Sequence, residues 1–345
     1  MKEIRKDVAI VGAGPIGLEM AAGLKRAGIQ YVHLEKGQIA QTITRFPPQT
    51  RFFSSADRIA IAGVPVPTVD QPKCTREEYL AYLRSIVSRF DLEIRTYEPV
   101  VSLLRSDSDG FILRTSSVGG ERVYNAGRVV LAVGDMDRPR FLNIPGEVLP
   151  HVSHYLEEPH KYFRRKVLIV GGKNSAVEAA LRCHHVGADV TVSYRRDSFD
   201  PKSVKSWILP EIAERLKRGE IRAHMQTVPV GITPSHVTLI PVGGGKTFDV
   251  EADFVLLLVG YIADMTLFRM AGSELQSPSE APVLNEQTME TTVSGLYAAG
   301  TAVAGTQHSY KLFIENCHVH VDRIVATLTG TPPPPAPEIP DQLEA

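Results

Sequence analysis

The sequence predicts an α/β fold made of two parallel-sheet units, and three observations predict it. Residues 7–17 read DVAIVGAGPIG, residues 166–176 read KVLIVGGKNSA, and each run leads through a helical stretch to a second short strand. An apolar run that ends on glycine and passes straight into a helix is the pattern of a strand buried on both faces of a parallel sheet.

In the first copy Gly12, Gly14 and Gly17 stand at the G-x-G-x-x-G spacing, with Pro15 inside the turn. The first glycine permits a tight turn, the second lets the backbone approach a pyrophosphate, and the third lets helix and strand pack closely. The phosphates then lie at a helix N-terminus, where unpaired N–H groups and the dipole favour negative charge. A helix over residues 18–27 closes on Gly28, and the next strand ends in Glu35 and Lys36. Glu35 lies eighteen residues beyond Gly17, the distance at which a carboxylate reaches a ribose hydroxyl. This is a Rossmann-like dinucleotide site.

Composition sets the frame. The chain has 345 residues, room for about two domains. A hydrophobic fraction of 43% with 22% charged residues describes a globular protein, and a net charge of −1 points to neither nucleic acid nor an anionic membrane surface. The N-terminal residues pass at once into the first strand without a signal-peptide pattern, and the most apolar run, FVLLLVG at 254–260, is too short to span a bilayer. A cytoplasmic protein is the expectation. Cys74, Cys183 and Cys317 are odd in number, widely spaced and without a C-x-x-C. They suit neither a disulfide framework nor a zinc site, so no metal is expected.

After Glu35 comes a polar loop, residues 37–55, with aromatics at Phe46, Phe52 and Phe53. These could line a flat cofactor or anchor the loop, and both roles fit. Thr75-Arg76-Glu77-Glu78 is a capping box. The helix it opens carries a core stripe of Tyr79, Leu80, Leu83, Ile86, Val87 and Phe90. Strands are predicted near 93–95, 100–104, 111–115 and 122–124, then at 128–134, where RVVLAVG closes on Gly134. The proline-rich stretch 138–159 reads as a crossover between domains. A helix follows near 210–218, then several strands including 254–260, then GLYAAG at 295–300. The last helix covers about 315–328, with Val319, Ile324 and Val325 as candidate core. The tail from Thr331, TPPPPAPEIPDQLEA, cannot build a packed core and is expected to be disordered or extended.

The second glycine unit differs from the first. Gly171 and Gly172 are followed by Lys173, Asn174 and Ser175, and Ala176 takes the third glycine's place. Lys173 would either obstruct a pyrophosphate or neutralise it. The second strand of this unit ends in Tyr194-Arg195-Arg196. A carboxylate at such a strand end selects a free 2′-hydroxyl, whereas arginines accommodate a 2′-phosphate. The first site therefore suits FAD or NAD and the second NADPH, an arrangement for relaying a hydride through a flavin. A solvated basic patch is the alternative for Arg195 and Arg196.

GAGPIG with Glu35, VLIVGGKNSAVEAA with YRRDSF, and GLYAAG resemble low-molecular-weight thioredoxin reductases. FFSSADRI, PGEVLPHVSHY, SWILPE, TMETTVSGLYAAG and LFIENCHVH resemble more closely the bacillithiol disulfide reductase-like flavoproteins, over nearly all of residues 5–328. The resemblance implies two Rossmann-like domains of three-layer ββα type, with an NADPH domain (139–264) inserted into an FAD domain (1–138 and 265–330), and a homo-oligomer; the proline-rich tail (331–345) lies beyond it. It assigns Gly12, Gly14, Pro15, Gly17, Glu35, Lys36, Gly134, Gly300 and Thr301 to FAD. To NADPH it assigns Gly171, Gly172, Lys173, Asn174, Ser175, Arg195 and Arg196.

Three positions depart from the resemblance. No C-x-x-C accompanies the NADPH unit, Ile16 occupies the place of a proposed active cysteine, and a Gly-Asp pair reads Gly300-Thr301. Cys317, near the start of the last helix, is either a redox thiol whose pKa the helix dipole lowers or a small buried hydrophobe. Cys74 is expected to be exposed and Cys183 packed. The implied activity is an NADPH-dependent, FAD-containing oxidoreductase acting on a low-molecular-weight disulfide. Alternatives are a ferredoxin, quinone or flavin reductase, and a nucleotide-occupied redox sensor without fast turnover.

Overall fold

The computed structural model describes residues 3–68, 73–107, 109–308 and 311–332. The chain divides into two compact units. One holds the chain up to Arg45, Gln49–Arg138 and the stretch from Tyr261 onward; the other holds Phe46–Pro48 and Pro139–Gly260.

The first unit begins with β1 (Glu3–Val11), α1 (Pro15–Arg26) and β2 (Tyr31–Leu34). Helix α2 (Arg76–Arg89) follows, with the predicted capping box formed by Thr75 and Glu78. Strands β3 (Val100–Arg105), β4 (Phe111–Ser117) and β5 (Gly120–Leu131) come next. β1 lies parallel between β2 and β5, while β3 and β4 run antiparallel on the far side of β5. The segment 122–134, read as two strands, is one strand to Leu131. Gly127 does not interrupt it, because both halves keep one ladder with β1 from Glu3 to Val11. Residues 93–95 form only a single bridge, Leu34 to Arg95.

In α2 the buried face is Tyr79, Tyr82, Leu83 and Ile86, with Leu80, Val87 and Phe90 only partly covered. Tyr82 is in the core because its hydroxyl has partners there: it accepts from the Ile61 N–H at 2.7 Å and donates to the Val64 carbonyl at 2.7 Å. Phe52 of the polar loop packs on Tyr79 with ring centroids 4.7 Å apart, so this aromatic is a loop anchor.

The second unit comprises β6 (Lys166–Val170), α3 (Asn174–His185), β7 (Asp189–Tyr194), α4 (Leu209–Lys217) and β8 (Arg222–Met225). An antiparallel trio, β9 (Thr227–Ile232), β10 (His236–Pro241) and β11 (Phe248–Glu251), precedes β12 (Phe254–Leu257). The parallel sheet runs β8-β7-β6-β12 and ends on the short strand Val152–Ser153. The proline-rich stretch is therefore part of this unit and more than a linker. Glu147 clamps it by accepting from the N–H groups of Leu142 (2.8 Å) and Asn143 (2.7 Å).

The chain returns to the first unit through β13 (Leu296–Ala298), which pairs parallel with the end of β5, and α5 (His318–Thr329). α5 starts three residues later than predicted, since Ile314–Asn316 forms a 3₁₀ turn. It buries His320, Val321, Ile324 and Ala326; Val319 and Val325 are half-buried. The expected disordered tail falls, beyond Pro332, outside the described residues.

His318 ties α5 to α1. Its Nδ1 donates to Glu19 Oε2 at 2.7 Å and its Nε2 to the Arg58 carbonyl at 3.0 Å. Both partners only accept, so both ring nitrogens carry protons and the imidazole is charged. Burial opposes that charge, but the Glu19 carboxylate outweighs it and raises the His318 pKa. Such a pair contributes stability below the ordinary histidine range, and the contribution fades as pH rises through the elevated folded-state value. Glu19→Gln is accordingly expected to destabilise by roughly 1.5–3 kcal/mol at pH 6 and by less at pH 9, as for a hydrogen bond to a charged group. Thermal melts of both proteins across that range test it, and a constant difference would rule the linkage out.

Candidate functional site

In both units the residues singled out in the sequence gather at the carboxyl edge of the parallel sheet, where open α/β sheets hold ligands. In the first unit this edge carries the Gly12–Gly17 turn after β1, Glu35 after β2, Gly134 and Asp135 after β5, and Gly300 and Thr301 after β13.

The turn is specified atom by atom. Gly12 has φ +105°, and a Cβ there would lie 2.4 Å from the Ala132 carbonyl oxygen. A Cβ on Gly17 would lie 1.9 Å from the Gly12 carbonyl oxygen. At Gly14, by contrast, a Cβ would meet nothing within 4 Å. The backbone there faces open space over the α1 N-terminus, which has Pro15 in its first turn and no side-chain cap. Its uncapped N–H groups can bind a pyrophosphate, so this cradle fits the FAD that the resemblance implies.

Glu35 is buried and fixed. Its Oε2 accepts from the Ala13 N–H at 2.7 Å and its Oε1 from the Gly37 N–H at 2.8 Å. Each oxygen retains a lone pair for a ribose hydroxyl. Lys36, beside it, is paired with Asp137. Gly300 packs against Ile16, 3.4 Å from its Cβ to the Cβ a side chain at 300 would carry.

Three contributors were not legible in the sequence. His33 lies under the turn and donates from Nε2 to the Gly12 carbonyl at 2.9 Å. Burial lowers its pKa to about 4, so it is a neutral brace. Asp135 is a buried carboxyl that accepts from the Thr301 hydroxyl and from Gln307 Nε2 at 2.9 Å. Burial raises its pKa, against the pull of both donors. Gln307 in turn accepts from the Lys311 and Leu312 N–H groups at 2.9 and 3.0 Å, so Asp135 anchors the loop that precedes α5. No spacing rule links residues 135, 301 and 307; only the sheet brings them together.

Of the three cysteines, Cys74 departs from expectation, while Cys183 is packed as expected and Cys317 is buried. Cys74 is buried, and desolvation pushes its thiol up to about 11. Cys183 is packed in α3, its thiol raised to about 12 by burial. Cys317 stands at the α5 N-cap, yet its pKa is raised, by burial first and then by the Asp135 and Glu19 carboxyls. Burial outweighs the helix dipole, so Cys317 is a neutral thiol at physiological pH.

In the second unit Gly171 has φ +142°, and a Cβ there would lie 2.4 Å from the Leu258 carbonyl oxygen. It also approaches Ala176 Cβ at 2.9 Å, so alanine at that position fills the contact that glycine leaves at Gly17. Lys173 is the α3 N-cap. Partial burial, and then Arg196 and Arg195, lower its pKa, which places all three cations round one turn. Arg195 and Arg196 are exposed, with Arg196 3.8 Å from Asp200. Ser175 is exposed on the first turn of α3. Asn174 also braces the protein: its Oδ1 accepts from the Lys205 N–H at 2.6 Å, and its backbone N–H donates to the Ser203 carbonyl at 3.2 Å. That side-chain oxygen holds the 203–205 segment to the helix. Among the described residues no cluster of metal-ligating side chains occurs, and no helix is long and apolar enough to cross a membrane.

The chain is similar to known proteins along most of its length. The chain is 35% identical over 325 residues to the bacilliredoxin reductase Bdr of Bacillus subtilis, covering 94% of this chain and 98% of that protein. The structure of the bacillithiol disulfide reductase Bdr from Bacillus cereus superposes with a TM-score of 0.89 at 34% identity, over 94% of this chain and 99% of that one. The ferredoxin–NADP reductase of Ignicoccus hospitalis is 27% identical over 86% of this chain and 89% of its own length. The signature described as pyridine nucleotide-disulphide oxidoreductase matches residues 9–300, and the chain belongs to that family.

Proposed function

We propose that this oxidoreductase uses NADPH and FAD and passes the electrons from its flavin directly to an acceptor, without a cysteine of its own. Bound FAD would supply the chemistry of accepting a hydride and giving it up as two electrons and a proton. The first unit seats it through the Gly14 cradle and Glu35, and the second holds NADPH through the turn at Gly171 and through Arg195 and Arg196.

One observation carries the reading of the acceptor step. All three cysteines are buried with raised pKa values, and the glycine turn carries Ile16. A thiolate is the attacking species in thiol–disulfide exchange, and none is exposed to form a mixed disulfide. A low-molecular-weight disulfide, as the names of the Bdr relatives suggest, would therefore have to meet the flavin itself. A ferredoxin or quinone is the second reading, favoured by the likeness to a ferredoxin–NADP reductase. Three unpaired thiols suit a reducing, cytoplasmic setting. A homo-oligomer completes the proposal.

The test is a variant with all three cysteines replaced by alanine, assayed anaerobically with NADPH against bacillithiol disulfide, ferredoxin and quinones. Turnover within about twofold of the parent is expected, at a stability cost of about 1 kcal/mol per buried side chain shortened. A tenfold loss confined to the disulfide substrate would overturn direct transfer and restore a cysteine relay.

A further inference from the structure

The two glycine turns can be registered on each other by one hydrogen bond. In the first unit Gly12 N–H donates to the Leu34 carbonyl at 2.8 Å; in the second, Gly171 N–H donates to the Ser193 carbonyl at 3.0 Å. Leu34 thus corresponds to Ser193, and the residue that stands where Glu35 stands is Tyr194. The arginines follow one and two places later.

Tyr194 fills that corner physically. Gly172 corresponds to Ala13, whose N–H binds Glu35. A Cβ on Gly172 would lie 2.4 Å from Cε1, Cε2 and Cζ of Tyr194 alike, which puts that point over the face of the ring. The ring is buried and stacks on Phe199, centroids 5.7 Å apart and planes 21° from parallel. It lies flat on the turn, where the first unit places a carboxylate. Gly172 is a glycine because of that ring.

We propose that Tyr194 is the specificity-determining residue of the second dinucleotide site, selecting a 2′-phosphorylated adenosine by occupying the corner from which a carboxylate would bind a free ribose 2′-hydroxyl. A carboxylate there would accept from the hydroxyl of NADH and repel the phosphate of NADPH. An aromatic face does neither, and it leaves Arg195 and Arg196 at the rim as the groups that meet the phosphate. Selection thus comes from two sources: attraction by the arginines and removal of the competing acceptor. This inference rests on the second unit being a nicotinamide dinucleotide site.

The experiment measures dissociation constants of NADP⁺ and NAD⁺ on the full-length, FAD-loaded protein by calorimetry, so that the readout is binding and not turnover. The parent is expected to prefer NADP⁺. Tyr194→Phe keeps the preference within about threefold, since the ring and not the hydroxyl fills the corner. Tyr194→Glu narrows it by about tenfold or more, the size of a gained or lost charge-assisted hydrogen bond, with NAD⁺ binding tighter and NADP⁺ weaker. Tyr194→Ser, smaller and neutral but able to accept a hydrogen bond, is the second variant should the glutamate disturb folding. It narrows the preference severalfold by strengthening NAD⁺ alone. An unchanged ratio in whichever of these two variants retains flavin and native circular dichroism overturns the role of Tyr194. A parent that binds neither nucleotide overturns the NADPH site itself and this inference with it.

Discussion

Gly14→Ala is expected to yield a protein that folds like the parent and purifies without flavin, whereas Gly17→Ala loses both flavin and stability. The two glycines face different things. A Cβ at Gly17 would lie 1.9 Å from the Gly12 carbonyl oxygen and 3.0 Å from its carbon, both backbone atoms of the turn itself. The turn would have to move, disturbing the bond from His33 to the Gly12 carbonyl, and overpacking of this kind costs about 1–3 kcal/mol. At Gly14 the added methyl meets no protein atom within 4 Å and enters only the space where a pyrophosphate would approach the backbone. The ratio of flavin to protein absorbance on purification, read beside the melting temperature of the apoprotein, separates these effects. A yellow Gly14→Ala protein with full flavin content would show that the turn is not the pyrophosphate seat.

The second large effect is expected at the rim of the other unit. Replacing Arg195 or Arg196 by alanine should weaken NADPH by roughly 10- to 100-fold each, as expected for losing a charge-assisted hydrogen bond to phosphate worth about 1.5–3 kcal/mol. NADH should change little, because it has no 2′-phosphate to lose. Both side chains are exposed, so the folded state should tolerate the change. Rapid anaerobic mixing, with flavin bleaching followed against nucleotide concentration, gives the two affinities. Equal losses for NADPH and NADH would show that the arginines steer any anionic nucleotide without reading the phosphate. Raised salt should weaken NADPH more than NADH in the parent and much less so in the double variant.

These two predictions draw on features of different legibility. The spacing of Gly12, Gly14 and Gly17 could be read directly, because a glycine turn between a buried strand and a helix is a local constraint that neighbouring residues impose. The capping box at Thr75 and Glu78 was legible for the same reason, and both bonds of it form. Tyr82 was not, since its burial depends on partners at Ile61 and Val64, about twenty residues away. Residues 122–134 read as two strands, and pairing with β1 from Val123 to Leu131 joins them into one.

The sites divide in the same way. Asn174 sits in the motif that marks the second turn, and the bond its Oδ1 accepts from the Lys205 N–H could not be read from that motif. Cys317 sits at a helix N-terminus, yet burial decides its pKa.

By itself the sequence determined the two α/β units, their glycine turns, the acid beside one and the arginines beside the other. All of these are set by contacts within a few residues or by a short strand–helix–strand repeat. Only the tertiary structure decided that Tyr194 stands in the place of Glu35, that Asp135 meets Thr301 and Gln307, and that no cysteine is exposed. Those facts depend on strand register and on the depth of burial, which arise when distant segments pack together.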